Sequence, residues 1–188
     1  MDFSTEFVSF RDRLAEGQDK AFVSHQNVPV AGRIAALFSS FGVDAERKLL
    51  GLVPMGNITH AHEYRLLFAV PELNEQSLED WWRYAESAER ELVQPDASHE
   101  FSIVSVILAT GSVEKAVRKK LKKLSGGRDF SREGRGWSTV RMAVVELDGL
   151  RLHTNRMGDP LKNILGPILQ KNTSQIAITS WTHLGRRS

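Results

Sequence analysis

The sequence predicts an α/β (α+β) protein, in which helices pack on a mixed β-sheet of about five strands that follows two N-terminal helices. Three observations support this fold class. Strand-like and helix-like hydrophobic periods alternate through the middle of the chain, a fully apolar strand pattern lies near its centre, and Asp148-Gly149 gives a hairpin signal towards its end. The 188 residues, 41% of them hydrophobic, match the length and composition of one globular domain.

We predict a single domain over residues 1–171. It divides into a helical N-terminal segment at 1–42 and a core at 47–171, and the core has the element order β-β-α-β-α-β-β-α. Beyond Lys171 the sequence becomes polar and ends in two arginines and a serine. We therefore expect 172–188 to be a loosely ordered tail.

Two helices are predicted in the N-terminal segment. The second covers 31–41 and stops at Gly42. Because a large apolar stripe needs a partner surface, we expect the first helix to pack on the sheet or to join two copies into a homodimer through the N-terminal helices. Its stripe has helical spacing and consists of Phe3, Phe7, Phe10 and Leu14.

The core begins with a predicted hairpin. Apolar residues 49–53 form its first strand, 55–57 form the turn, and the second strand runs to Pro71. A helix follows, which Ser77 is expected to cap and which extends to Leu92 with one apolar face.

Residues 101–110 are apolar at both odd and even positions, which indicates a central strand covered on both sides. Because a helix precedes and another follows this strand, we expect parallel crossovers in the middle of the sheet and antiparallel hairpins at its edges. The later elements are a helix at 112–124, a strand at 138–147, a return strand at 150–154, and a last helix that starts at Asp159-Pro160.

Composition excludes several classes of site. The chain has no cysteine, so disulfides, thiolate zinc sites, iron–sulfur clusters and cysteine nucleophiles are excluded. The acidic N-terminus is unlike a secretory signal, and no apolar run approaches the roughly 20 residues of a membrane span. We expect a cytoplasmic protein with no membrane partner and no evident cofactor.

Charge is strongly segregated. Residues 113–135 hold nine cations and three carboxylates, whereas the rest of the chain holds 16 cations and 20 carboxylates. On the predicted helix the cations lie opposite the apolar residues, and the following loop adds arginines and glycines before Trp137. The candidate polyanion-binding residues are Lys115, Arg118, Lys119, Lys122, Lys123, Arg128, Arg132 and Arg135.

Lysine and arginine contacts to phosphate with an aromatic ring for base stacking favour a non-enzymatic domain that binds a polyanion, nucleic acid in particular. The alternative is that the cations form an ordinary solvated helix face, as most runs of charged residues do. No RNP, zinc-finger, GXXG or helix-turn-helix pattern accompanies this basic segment. Backbone amides around Gly111 could bind a phosphate, but no P-loop motif is present and capping by Ser112 is favoured.

Two further hypotheses remain open. His60 and His62 point to the same side of an extended segment and could bind a metal if His99, Glu100 or His153 supplied a third ligand, which would make the protein a metal-dependent enzyme. A protein–protein interaction module that uses the phenylalanine-rich first helix is the other alternative.

Overall fold

The structure is a computed structural model that describes residues 2–49 and 53–170, with the backbone alone for 45–49 and 53–57. Its elements in chain order are α1 (Phe3–Gly17), β1 (Val23–His25), β2 (Val28–Val30), β3 (Arg33–Ala35), β4 (Leu37–Leu49), β5 (Val53–Ala69), α2 (Glu75–Leu92), β6 (His99–Thr110), α3 (Lys115–Leu121), β7 (Trp137–Glu146), β8 (Arg151–Thr154) and α4 (161–170). Single 3₁₀ turns occur at Ser131–Glu133 and Arg156–Gly158.

Six strands form one mixed sheet in the order β1-β4-β5-β6-β7-β8. The middle strands β5, β6 and β7 are parallel, while β4 pairs antiparallel with β5 and β8 pairs antiparallel with β7. The predicted fold class is confirmed, with parallel strands in the middle of the sheet and antiparallel strands at its edges. From β4 to α4 the described elements follow the order β-β-α-β-α-β-β-α. The short strands β2 and β3 form a separate two-stranded sheet.

Two hydrophobic clusters cover the two faces of the sheet. One contains apolar side chains of α2 and α3, and the other contains those of α1 and α4. The central strand β6 contributes to both: Val106 and Leu108 belong to the first cluster, while Ile107 and Ala109 belong to the second. This alternation explains why apolar residues occur at both odd and even positions of β6, as the sequence predicted.

The predicted first helix is confirmed, and its stripe is buried within the chain. Phe7, Phe10 and Leu14 belong to the same hydrophobic cluster as α4 and one face of the sheet. Phe3 is half-buried and its ring stacks on that of Phe7, with 6.2 Å between the centroids. Association of two copies stays a prediction, but the stripe that suggested it is already covered by the chain itself.

The predicted second helix at 31–41 is wrong, because this segment forms strands β3 and the start of β4. Ala31 and Gly32 have φ angles of 47° and 80°, and they make the tight turn between β2 and β3. From Leu37 onward the chain pairs with β5. A short apolar run fits both helical and extended periods, and here long-range pairing decided between them.

Local boundaries also differ from the predictions. Residues 55–57, predicted as the hairpin turn, lie inside β5. The predicted first strand at 49–53 is wrong, because Leu49 ends β4 and pairs with Val53, which begins β5; residues 50–52 lie outside the described part of the chain. Asn74, not Ser77, caps α2; Ser77 lies in its first turn and completes a capping box with Asn74. The predicted tail at 172–188 also lies outside the described residues.

Candidate functional site

The orientation of helix α3 is set by its two buried residues, Val117 and Leu121, which lie one turn apart and pack on the sheet. Lys120 lies on the side of α2, where it forms an ion pair with Glu79. Packing therefore leaves the opposite side of the helix to solvent. The exposed cations of the predicted basic segment are Lys115, Lys119, Lys122, Lys123 and Arg132.

Glu146, the last residue of β7, is fully buried and accepts contacts from several directions. Its carboxylate lies 3.6 Å from the guanidinium of Arg118 in α3 and 2.9 Å from that of Arg151 in β8. The backbone N–H of Val113 donates to it at 3.2 Å, and the ring of His153 forms a further contact. Two arginines that are distant in the sequence therefore converge on one carboxylate.

Burial raises the pKa of Glu146, but its hydrogen bonds from His153, the Val113 N–H and Arg151 outweigh burial and hold that pKa below its usual value. The carboxylate is therefore ionised at neutral pH. Its charge offsets part of the repulsion between the two guanidinium groups.

A second carboxylate, Asp159, connects a lysine of α4 to the end of β8. Asp159 forms an ion pair with Lys162 of α4 at 2.6 Å and accepts a hydrogen bond from Thr154 at 2.8 Å. These hydrogen bonds, with weaker electrostatic contributions from Lys162 and Lys122, lower the pKa of Asp159. The side chain of Asn155 donates to the carbonyl of Leu124 at 3.2 Å, which places the segment that follows α3 beside the connection between β8 and α4.

The cations of α3 thus join cations of β8 and α4 on one surface, next to the edge strand of the sheet. We name this surface the α3–β8 face. Among the described residues, the carboxylates that form ion pairs with its cations are Glu146 and Asp159. Its cations are Lys115, Arg118, Lys119, Lys122, Lys123, Arg151 and Lys162.

Two of the three predicted loop arginines stabilise the loop instead of facing solvent. Arg128 donates to both carboxylate oxygens of Glu89 at 2.9 Å and to the carbonyl of Val93 at 3.0 Å. Arg135 donates to the carbonyl of Pro95 at 3.0 Å and forms an ion pair with Glu133.

The loop arginines also lie at the other end of β7 from Arg118. In the loop, the backbone of Asp129 forms an isolated antiparallel β-bridge with Trp137, the first residue of β7. Arg118 instead contacts Glu146, the last residue of β7. A ten-residue strand spans about 30 Å. The eight residues predicted as one site are therefore divided between two regions, and Trp137 lies with the loop, stacked on Phe101 at 5.3 Å.

His60 and His62 do lie side by side on β5, with 6.0 Å between ring centroids. They line a cleft of about 240 Å³. One ring nitrogen of His60 lies 3.2 Å from the carboxylate of Asp96, and the other lies 3.6 Å from Asp44. Burial, followed by the charges of His60 and His99, lowers the pKa of His62.

The three candidate third ligands are all engaged elsewhere. Both ring nitrogens of His99 have hydrogen-bond partners, Glu100 accepts a hydrogen bond from Thr59, and His153 contacts Glu146. Within 2–49 and 53–170, no group of three or more histidine or carboxylate side chains is placed to hold a metal. The metal-dependent enzyme stays a hypothesis without a third ligand in this region.

A larger cleft, of about 750 Å³, lies beyond the carboxyl ends of β5 and β6 and includes Gly111 and Ser112. Helix α3 begins only at Lys115, and Ser112 does not cap it. Among the described residues that line this cleft the charged ones are all acidic: Glu72, Glu75, Glu114 and Asp148. This lining disfavours the phosphate site considered around Gly111.

No helix in the described part of the chain is long and apolar enough to cross a membrane. A family model whose description is Domain of unknown function (DUF8052) matches residues 7–167, which contain every element from β1 to β8 and most of α1 and α4. No curated protein and no solved structure matches the chain significantly.

Proposed function

The chain belongs to the family Domain of unknown function (DUF8052), and we propose that this member binds a polyanion, specifically nucleic acid, through its α3–β8 face. The observation that carries the proposal is the convergence of cations from three chain segments. Helix α3, strand β8 and the start of α4 each contribute, although 29 residues separate Lys122 from Arg151 in the sequence. A basic surface assembled from distant segments supports binding better than a charge run on one helix does.

The chemistry of the face suits phosphate groups. Arg118 and Arg151 keep exposed side-chain fractions of 29% and 54% while contacting Glu146, so they are held in place yet accessible. Lys119 and Lys123 are exposed and add charges that can move to meet a phosphate. Fixed guanidinium groups with flexible ammonium groups beside them are a common arrangement for backbone contacts to nucleic acid.

We expect binding with little dependence on base sequence. Helix α3 has only seven residues, and two of them are buried against the sheet, so it does not project as a recognition helix would. Trp137, the aromatic ring considered for base stacking, lies at the opposite end of β7 from Glu146, where its ring stacks on Phe101. The contacts available to the face are therefore to the phosphate backbone.

Charge reversal tests the proposal. Lys119→Glu combined with Lys122→Glu should weaken binding of a fluorescent single- or double-stranded oligonucleotide about tenfold or more at low salt, because two attractive charges become repulsive. Fluorescence anisotropy titration gives the affinity. Both side chains are exposed, so the variant should keep its thermal stability to within about 0.5 kcal/mol.

The matched control is Lys20→Glu combined with Arg90→Glu. Both residues are exposed, they lie outside the α3–β8 face, and their reversal changes the net charge by the same amount. The proposal predicts nearly unchanged affinity in the control. Equal losses in both double variants would indicate a response to net charge alone, and no binding by the unmodified protein at low salt would leave the face as an ordinary solvated surface.

A further inference from the structure

A buried serine and histidine form a directional pair in the histidine-lined cleft. The Nε2 atom of His99 lies 2.8 Å from the hydroxyl oxygen of Ser102, and the Nδ1 atom of His99 lies 2.6 Å from the carbonyl oxygen of Arg135. His99 is 3% exposed and Ser102 is 1% exposed. Both residues belong to β6, so a rigid central strand holds them.

The partner of Nδ1 fixes where the proton lies. A carbonyl oxygen only accepts hydrogen bonds, so Nδ1 carries hydrogen and donates to Arg135. In the neutral imidazole Nε2 then has a free lone pair, and the hydroxyl of Ser102 donates to it. This is the arrangement of a nucleophile with an adjacent general base and a third group that orients the base.

Both residues line the cleft of about 240 Å³ between β5, β6 and the end of α2. His62 is the direct neighbour of Ser102 on β5, and Tyr64 stacks on His62 at 6.0 Å between ring centroids. Drug-sized ligands occupy pockets of roughly 300–1,000 Å³, so this cleft suits a smaller group. The size restricts a substrate to one whose reacting part is short, such as an acetyl group.

A buried serine on β6 does not need a histidine partner, as a second serine on the same strand shows. Ser105 lies three residues farther along β6 and is fully buried, and its hydroxyl has no hydrogen-bond partner among the described residues. Strand β6 thus carries one buried serine with a base and an orienting group, and another with neither. Ser105 is therefore a natural matched control.

We propose that Ser102 is the nucleophile of an acyl-transfer site for small esters, with His99 as its general base. The Ser102 oxygen forms a bond to the ester carbonyl carbon while its proton passes to Nε2 of His99. The bond to the leaving oxygen then breaks, and His99 returns the proton to the released alcohol. Water hydrolyses the acyl-serine by the same proton route, which regenerates the hydroxyl and releases the carboxylic acid.

The test is covalent labelling with a small alkyl fluorophosphonate, read by mass spectrometry of the peptide that contains Ser102. The serine oxygen forms a bond to phosphorus, fluoride leaves, and the proton passes to His99. We expect one label per chain on Ser102, none in Ser102→Ala, and an unchanged rate in Ser105→Ala. His99→Gln should slow labelling about 100-fold, because a positioned general base contributes 10²–10⁴.

A second measurement does not depend on the His99 variant folding. The chain has no cysteine, so Ser102→Cys and Ser105→Cys each introduce a single thiol. Iodoacetamide should alkylate the thiol at 102 at least about tenfold faster than that at 105, because a thiolate beside a histidine and open to a cleft is more reactive. No label on Ser102, labelling that ignores His99, or equal thiol rates in folded variants would overturn the proposal.

Discussion

At the scale of the residue, Glu146 joins the segments that carry the α3–β8 face. It connects the end of β7 to Arg118 of α3 and to Arg151 of β8, and it is fully buried. A buried carboxylate is tolerated because charged and backbone donors surround it. The position of two cations on the face therefore depends on one acidic side chain.

We predict that Glu146→Gln lowers the free energy of unfolding at pH 7 by about 1–3 kcal/mol, because the arginines lose their counter-charge and hydrogen-bond acceptors. Urea denaturation measures the loss. Since the pKa of Glu146 is lowered in the folded state, its contribution is present above the unfolded value of about 4.3 and is lost as the pH falls through the folded pKa. The difference in free energy of unfolding between wild type and Glu146→Gln should accordingly become smaller in acid. A difference that stays constant down to pH 2 would contradict this assignment.

Individual residues also show which features of the candidate site could be predicted from the sequence and which could not. The exposure of Lys119 and Lys122 followed from the helical pattern, because their neighbours Val117 and Leu121 had to face the core. Arg128 carried no such local signal. Its partner Glu89 lies 39 residues earlier on α2, and only the folded structure brings the two together.

At the scale of the element, strong local patterns were predicted well. The central strand β6, the helix α2 and the turn containing Asp148 and Gly149 each carry a periodic or turn signal within about ten residues. The prediction for segment 31–41 was wrong because the segment pairs with two other strands: β3 pairs with β2, and the residues from Leu37 onward pair with β5, 22 to 30 residues later in the chain. Arg151 and Lys162 were missed for a similar reason, since their closeness to α3 depends on how β8 and α4 pack.

The first helix gives a prediction at this scale. Phe10→Ala should cost about 3–5 kcal/mol of stability, because Phe10 is fully buried against the sheet and α4. Val8→Ala is the control on the same helix; Val8 is 42% exposed, and its loss should cost about 0.5 kcal/mol or less. Thermal and urea unfolding report both values. Conversion of a dimer to monomers by Phe10→Ala on a sizing column, with stability unchanged, would show that the stripe joins two copies instead.

At the scale of the whole molecule, the formal net charge is only +2. The fold separates the charges: carboxylates line the cleft at the carboxyl ends of β5 and β6, while cations gather beside the edge strand β8. Lysine and arginine beside an edge strand also hinder its pairing with strands of other chains. If the α3–β8 face binds no nucleic acid, protection of the edge strand β8 is its remaining role. The two roles are distinguished by oligonucleotide affinity: only a nucleic-acid-binding face gives an affinity whose salt dependence changes when its cations are removed.

The most direct measurement is therefore the salt dependence of oligonucleotide affinity in single alanine variants. If each cation of the face neutralises one phosphate, Lys119→Ala and Lys122→Ala should each reduce the slope of log K against log salt by about 0.7–0.9. Arg132→Ala, an exposed cation of the loop at the far end of β7, should leave the slope unchanged. A slope altered by Arg132→Ala but not by the two lysine variants, or no measurable binding at low salt, would contradict the assignment of the α3–β8 face.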